Sequence, residues 1–560
     1  MKGARRRGDP ELVFLPLGGV GEIGMNLSVY GFGPPAGRTW LAVDFGIAFP
    51  GPDLPGVEVI YPDIAFLEEE RTNLEGIVVT HAHEDHFGAL VELWPRLRVP
   101  VFATAFTAGL LKAKLASEPG AEAIPVTVVA PGERFTLGPF HVELVNVAHS
   151  IPEANAVAIT TDLGTVLHTG DWKLDDRPAI GAPTDAARLS ALGDAGVLAL
   201  VGDSTNAMRE GRSPGEAEVA VEIADIIRTA RGRVAFTAFS SNAGRIRSIA
   251  LAAARAGRDV VVVGRAMRRV IDVAGELGML EGLPPFLDEE ALPYLPREKV
   301  VAILTGSQGE PRAALARAAA DEHKNVELVA GDIVVFSSRT IPGNEVAVNR
   351  IVNQLTLRGV RIVTDRDRLV HVSGHPRRDE LREMYRWVRP RIAVPVHGEP
   401  MHLAAHAELA DEMGVPDVLA IENGTMIRLA PGRPEEVDEV AAGRLYRDGA
   451  LVGGLEAMGI VERRRLAFAG HVSASVVIDA RGDLVVDPEL VLVGVPVADA
   501  AGRPMEESVM GAVLGAFESM PRPRRRDPEV VREALRRAIR AAVASAWGKK
   551  PNCAVFVSVV

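Results

Sequence analysis

Six consecutive residues, His81-Ala82-His83-Glu84-Asp85-His86, place four metal-ligand side chains directly after the apolar run Ile77-Val78-Val79-Thr80. Imidazole and carboxylate together suit Zn²⁺ and related first-row divalent ions. At this spacing His81 and His83 serve one ion, and Asp85 and His86 a second. Three of the thirteen histidines fall in these six positions, which a chance cluster of exposed polar residues does not explain. The chemistry indicated is hydrolysis at a binuclear metal centre, where two ions about 3.5–4 Å apart activate a water and clamp the reacting group.

Further ligands are expected at the ends of other strands. His149 follows an apolar run at 142–147 and is a candidate third ligand for the His81/His83 ion, or else a strand-end surface residue. Asp171, in His168-Thr169-Gly170-Asp171-Trp172, is a candidate bridge between the ions, or else a turn residue. Asp44 closes Leu41-Ala42-Val43 and is placed to orient a ligand imidazole from behind. The same pattern of polar groups after a strand recurs at Gly202-Asp203-Ser204-Thr205-Asn206, His371-Val372-Ser373-Gly374-His375 and Pro395-Val396-His397-Gly398-Glu399. His402 and His406, four apart, are expected to line a helix face in a structural or solvated role. Gly19-Val20-Gly21-Glu22-Ile23-Gly24 fits a dinucleotide fingerprint, but strand and turn residues follow it where that motif needs a helix, so a tight turn is expected.

These groups must be carried by a large framework. A chain of 560 residues exceeds one ordinary core, and 47% hydrophobic content places it in the globular class. No apolar run is long enough to cross a bilayer, and Met1-Lys2-Gly3-Ala4-Arg5-Arg6-Arg7 lacks the apolar stretch of a signal peptide. The one cysteine, Cys553, excludes an intrachain disulfide framework and thiolate-rich metal sites, so a cytoplasmic location is expected. A net charge of −12 argues against broad electrostatic binding of nucleic acid, so such a substrate would need positive charge concentrated in a channel.

Residues 12–167 read mostly as short strands and turns. From about 205 to 370, strand runs at 234–236, 260–263, 300–304 and 333–336 alternate with helical stretches, which predicts a parallel α/β sheet. Glu216–Thr229 has helical periodicity, with Ser213 expected as N-cap and Pro214 at the first position. Pro431-Gly432-Arg433-Pro434 and the arginine-bearing 461–465 read as connections. The last ninety residues read as strands, an Ala/Arg-rich helix over 528–546 and a strand over 554–560.

Taken together, these motifs resemble the β-CASP branch of the metallo-β-lactamase superfamily, and within it the ribonuclease J family. The metallo-β-lactamase motifs are matched by Asp44, His81-x-His83-x-Asp85-His86, His149 and Asp171, and the β-CASP motifs A, B and C by Asp203, His375 and His397. Leu17 to Asn26 (LGGVGEIGMN), Gly170-Asp171-Trp172-Lys173, Gly202 to Asn206 and Gly343-Asn344-Glu345 resemble ribonuclease J in particular. The resemblance is strong over about 12–445 and looser beyond, and the arginine-bearing start before Asp9 reads as a short variable extension.

It implies an α/β fold: an αββα sandwich over 10–205 and 373–445, split by an inserted α/β β-CASP domain over 206–372. A linker over 446–468 and a small C-terminal α/β domain over 469–560 follow. The implied ligand sets are His81, His83 and His149 for one divalent ion and Asp85, His86 and His397 for the other, with Asp171 bridging. Zn²⁺ is favoured, with Mn²⁺ as the alternative. A hydroxide between the ions attacks the phosphodiester in line, Asp203 with His375 protonates the leaving oxygen, and Asp85 counts among the catalytic residues as well as the ligands. The expected activity is a 5′-to-3′ exoribonuclease preferring 5′-monophosphorylated single-stranded RNA, with endonuclease activity and 5′-phosphate nucleotide products, in RNA decay and maturation. Ser240, Ser241 and Asn242, with His371, Ser373 and Gly374, form the expected 5′-phosphate pocket, the alternative for 240–242 being ordinary turn capping. The C-terminal domain is expected to support a homodimer or tetramer, with no membrane partner. Alternatives are a DNA-directed repair exonuclease of the same branch, which shares every metal motif, a small-molecule hydrolase, and a non-catalytic RNA-binding scaffold.

Overall fold

The computed structural model describes residues 8–560, so the arginine-bearing start lies outside the described residues. The chain forms two compact units. One comprises the chain up to Ala48 together with Ile60–Arg444, and the other Phe49–Val59 with Leu445–Val560.

The first unit is built on three sheets. In the eight-stranded sheet, Glu11–Gly18 and Leu27–Gly33 pair antiparallel, and Thr39–Val43 pairs parallel with Leu74–Val78. The seven-stranded sheet contains Phe140–Asn146, Asn155–Thr161, Gly164–His168, Ala199–Asp203 and Ile392–Val396 as successive neighbours. Strand alternation gives each sheet an inner apolar face. Leu12, Phe14, Tyr30, Val43 and Val78 from one sheet meet Val142, Leu144, Val157, Ile159 and Val201 from the other in one buried cluster. The outward positions Ala156, Ala158 and Ala393 are small, so helices carrying Leu189, Leu381, Met384 and Leu409 pack closely on the seven-stranded sheet. The result is an αββα sandwich.

The third sheet is five-stranded and wholly parallel: Asp259–Val263, Val300–Leu304, Val234–Thr237, Ile333–Phe336 and Arg361–Val363 in spatial order. Its central strands are buried throughout, as a sheet covered by helices on both faces requires. This is the expected α/β alternation, and it lies in sequence between Ala199–Asp203 and Ile392–Val396, which pair parallel with each other. The second unit contains a three-stranded sheet of Glu489–Val493, His471–Ile478 and Asn552–Val559, packed on the helices Met505–Glu518 and Pro528–Trp547.

Local differences from the sequence reading have physical causes. The region read as strands and turns also carries the helices Leu90–Leu97 and Ala105–Ser117. The stretch 461–465, read as a connection, lies in the helix Ile460–Ala469, where only Ile460 and Ala469 are buried and three successive arginines interrupt any apolar stripe. The Glu216–Thr229 helix has the expected limits, but its N-cap is Gly215, whose N–H donates to Glu218 at 3.0 Å. Ser213 is instead held two residues outside by its N–H donating to Glu380 at 2.8 Å. The glycine motif forms a tight turn, with φ of 85° at Gly19, 77° at Gly21 and 107° at Gly24, and leads into a strand.

Candidate active site

The expected metal ligands sit on turns beyond the C-terminal ends of strands that point one way. Phe140–Asn146 and Gly164–His168 both run antiparallel to the strand between them, and Gly164–His168, Ala199–Asp203 and Ile392–Val396 run parallel. That common direction delivers His149, Asp171, Asp203 and His397 to one edge, facing the 81–86 segment that leaves Leu74–Val78 and carries Asp85 and His86 into the short helix Glu84–Phe87. Three groups of donor atoms form there, each with its members within 4.8 Å of one another. They are His81, His83, His149 and Asp171; Asp85, His86, Asp171 and His397; and Asp171, Asp203, His375 and His397. Asp171 belongs to all three.

The distances are short for groups with no cation between them. His83 Nδ1 lies 3.0 Å from both His81 Nε2 and His149 Nε2. Asp171 Oδ2 lies 3.3 Å from His86 Nε2 and 3.7 Å from His81 and His149 Nε2. Asp85 Oδ2 lies 3.3 Å from His397 Nε2. Asp171 Oδ1 is buried and makes no hydrogen bond. Imidazole nitrogens converging on one oxygen of a buried carboxylate, whose other oxygen makes no hydrogen bond, fit divalent cations, and the donor set of nitrogen and carboxylate oxygen is the one Zn²⁺ and its neighbours accept.

Charge divides the cluster. Burial pushes His83 down to about 4 and moves His81 and His149 well below the ordinary histidine range. Burial acts the same way on His86 and His397, but Asp171 and neighbouring carboxylates outweigh it, raising His86 and lifting His397 to about 10. At His375 burial is likewise overcome by Asp203 and Asp171, and the pKa rises. His375 Nδ1 lies 2.8 Å from Asp203 Oδ2, and that pairing holds Asp203 below the usual carboxylate range despite its burial.

Supporting contacts fix these side chains. Asp44 accepts from the Thr80 N–H at 2.8 Å and its hydroxyl at 2.9 Å, and its Oδ2 meets His86 Nδ1 at 2.7 Å. Asp44 does so at φ 66° and His397 sits at φ 53°, backbone conformations unusual for residues with side chains. The glycine turn contributes directly, since the Gly19 carbonyl accepts from the His397 N–H at 2.6 Å. Gly374 accepts from His149 Nδ1 at 2.7 Å, and a Cβ there would stand 2.5 Å from the His149 ring.

Other groups here lay inside the quoted motifs but had no role assigned from the sequence, because hydroxyls and amides are common at strand ends. Thr205 Oγ1 lies 2.7 Å from His397 Nδ1, and Asn206 Nδ2 donates to Ser373 Oγ at 2.8 Å. His406 has the expected structural role, buried between Ser204 Oγ at 2.8 Å and the Tyr385 hydroxyl at 2.9 Å. His402 stands at the start of its helix, its Nδ1 accepting from the Glu399 N–H at 3.2 Å.

The expected phosphate-pocket residues are partly gathered. His371 is pushed down to about 3 by burial and by Arg245, Arg339 and Lys173, and its Nδ1 is buried without a hydrogen bond. Its ring lies 6.4 Å from that of Phe239, next to the 240–242 turn. Asn242 caps the helix Ala243–Arg255, its Oδ1 accepting from the Arg245 N–H at 2.8 Å, so turn capping is realised at this position. Among the described residues no hydrogen bond joins Ser240 or Ser241 to His371 or Ser373.

A split αββα sandwich with an inserted parallel sheet, carrying His/Asp clusters at one strand edge, defines a β-CASP hydrolase of the metallo-β-lactamase fold. The sequence matches the beta-lactamase superfamily domain over residues 50–199 and the ribonuclease J beta-CASP domain over 231–355. It also matches the Zn-dependent metallo-hydrolase RNA specificity domain over 359–420 and the ribonuclease J C-terminal domain over 458–560. Ribonuclease J of Sinorhizobium meliloti is 58% identical over 552 residues, covering 99% of this chain and 98% of that protein. Ribonuclease J of Mycolicibacterium smegmatis is 43% identical over 467 residues, 82% of each chain. A crystal structure of a protein of unknown function from Enterococcus faecalis shares the fold, with a TM-score of 0.51 at 16% identity, covering 75% of this chain and all of that one. The chain belongs to the ribonuclease J family.

Proposed function

We propose that the chain is a metal-dependent ribonuclease that degrades single-stranded RNA from a 5′-monophosphorylated end and also cuts internally, acting in RNA decay and maturation. The observation that carries this reading is the pair of donor sets sharing Asp171, with the Asp203–His375 pair beside them. His81, His83 and His149 would hold one divalent ion and Asp85, His86 and His397 the other, with Asp171 between them. Zn²⁺ is the favoured ion and Mn²⁺ the alternative. Bound there, two such ions supply an activated hydroxide and neutralise charge on the phosphate.

The remaining chemistry belongs to side chains. Asp203 accepts from His375 Nδ1–H and favours the protonated ring, leaving Nε2–H to donate to the departing 3′ oxygen while the 5′-phosphate product forms. Asp44 orients His86 through Nδ1, and Gly374 orients His149 through its carbonyl. His371, Ser373 and Gly374, with the Ser240–Ser241–Asn242 turn, would receive the 5′-phosphate. Domain limits of 10–205 with 373–445, 206–372 and 469–560, joined by 446–468, go with this reading. So do a cytoplasmic location and a homodimer or tetramer formed through the C-terminal domain. Val491, Val493 and Phe556, each about 60% exposed there, support the last point. Among the described residues no helix is long and apolar enough to cross a membrane.

The test is a time course on 5′-labelled RNA bearing a 5′-monophosphate or 5′-hydroxyl, with matched DNA, and with and without chelator. Labelled mononucleotide released from phosphorylated RNA alone, and lost on chelation, is the expected result. Equal internal cutting of both RNAs would make the enzyme chiefly an endonuclease, and preference for DNA would overturn the reading.

A further inference from the structure

A cavity of about 460 Å³ opens between the loop that follows His149, the turn 179–181, and the elements around Arg247 and Leu277. None of its lining residues belongs to the donor cluster or to the phosphate pocket described above. The volume falls within the usual range for small-molecule sites. Its walls are mixed in a specific way. Pro152, Ile180, Leu277 and Met279 supply apolar surface, and Leu277 is a large aliphatic side chain left 40% exposed. Arg247 and Glu153 supply opposite charges.

These two charged groups do not close on each other. Among the described residues Arg247 makes no ion pair or side-chain hydrogen bond, whereas many of the chain's other arginines are paired with carboxylates. Glu153 is fixed elsewhere: its Oε2 accepts from the Phe106 N–H at 2.8 Å, capping the helix Ala105–Ser117. It does so at φ 56°, a conformation unusual for glutamate. Helix capping accounts for Glu153 but leaves the free guanidinium beside an apolar wall without a role. Arg247 lies on the helix Ala243–Arg255, which Asn242 caps, so it is rigidly placed within two turns of the 240–242 turn. Pro152 and Glu153 lie three and four residues beyond His149.

We propose that this cavity is a subsite for one ribonucleotide unit of the RNA chain, with the phosphate on Arg247 and the base against Ile180, Leu277 and Met279. Guanidinium presents a planar fork of donors that matches a phosphate, and a flat base is the polar-edged, apolar-faced body that such a wall accepts. Glu153, held in place by its cap, offers an acceptor for a ribose hydroxyl. The inference rests on the ribonuclease reading, and the experiment separates the two.

Binding of a fluorescein-labelled, 5′-monophosphorylated oligoribonucleotide is measured over a salt series, in a His375→Ala background that limits cleavage. Cleavage by the unmodified protein is followed in parallel. Arg247→Gln should weaken binding about tenfold and lower the salt slope by about one. Arg247→Lys should recover part of the loss, and Arg350→Gln, an exposed charge outside the cavity, should leave binding unchanged. Leu277→Ala, at a position too exposed to disturb the core, should weaken binding several-fold without changing the slope. If the unmodified protein cuts RNA while Arg247→Gln keeps both affinity and slope, the subsite is overturned and the ribonuclease reading stands. If the unmodified protein neither binds nor cuts RNA, both are overturned.

Discussion

The two halves of the donor cluster solve the same problem in opposite ways. Around His81, His83 and His149, burial dominates and keeps three imidazoles neutral, the form that binds a metal. Around Asp85, His86 and His397, carboxylates dominate and favour the protonated imidazoles. One half is ready to ligate, and the other must release protons to do so. Asp171 touches both halves, so it couples a prepared site to one assembled by exchange.

Removing the shared group should have the largest effect. Asp171→Asn is expected to lower turnover on the order of a thousandfold or more, because groups acting as one unit fail together. Metal analysis should show a deficit in both halves. Two ions retained per chain at full activity would mean that the halves do not depend on Asp171. His375→Ala tests the boundary of the comparison, because His375 belongs to a donor group with Asp171 yet pairs with Asp203. Turnover should fall about a hundredfold to a thousandfold with metal content intact. Loss of metal would move His375 into the ligand set.

Asp44→Asn probes the second half from behind. Among the described residues, His86 is the one expected metal ligand that Asp44 hydrogen-bonds, its Nδ1 at 2.7 Å. Metal affinity in that half should drop about tenfold to a hundredfold, with the His81/His83/His149 half nearly unaffected. An equal loss in both halves, read by competitive chelation, would show that Asp44 acts through Thr80 and His81 as much as through His86.

The readable part of this site was the part made of rare residues. Histidines and aspartates directly after apolar runs stood out at 44, 81–86, 149, 171, 203, 375 and 397, and the fold gathers all of them. The partners that orient them fell inside the same motifs, but their roles could not be read because Thr80, Thr205 and Asn206 are of types that end strands everywhere. Four strands of the five-stranded sheet were legible because each contains a short unbroken apolar run that is buried. Its edge strand Arg361–Val363, with an exposed arginine first, was not. Helix Ala105–Ser117 escaped because alanines and leucines extend beyond its buried positions Phe106, Leu110 and Leu111, blurring the period. The 460 Å³ cavity had no signature at all, since its walls come from four separate segments spread over residues 152–279.

The last prediction removes no side chain and separates the halves by pH. In the metal-free protein, Asp171 and Asp203 outweigh burial and raise His397 to about 10, so below that pH it carries a proton that a cation must displace, and His86 is shifted in the same direction. Affinity in that half should therefore rise with pH across the neutral range, by about tenfold per unit for each proton released. His83 is lowered to about 4, so above that pH its half has no proton to lose and its affinity should be flat. Calorimetric titration of the metal-free chain in two buffers of different ionisation enthalpy reads this directly. One binding event should release no proton and the other about one or more. Two events with equal proton release would erase the distinction and assign the buried carboxylates' influence to both halves alike.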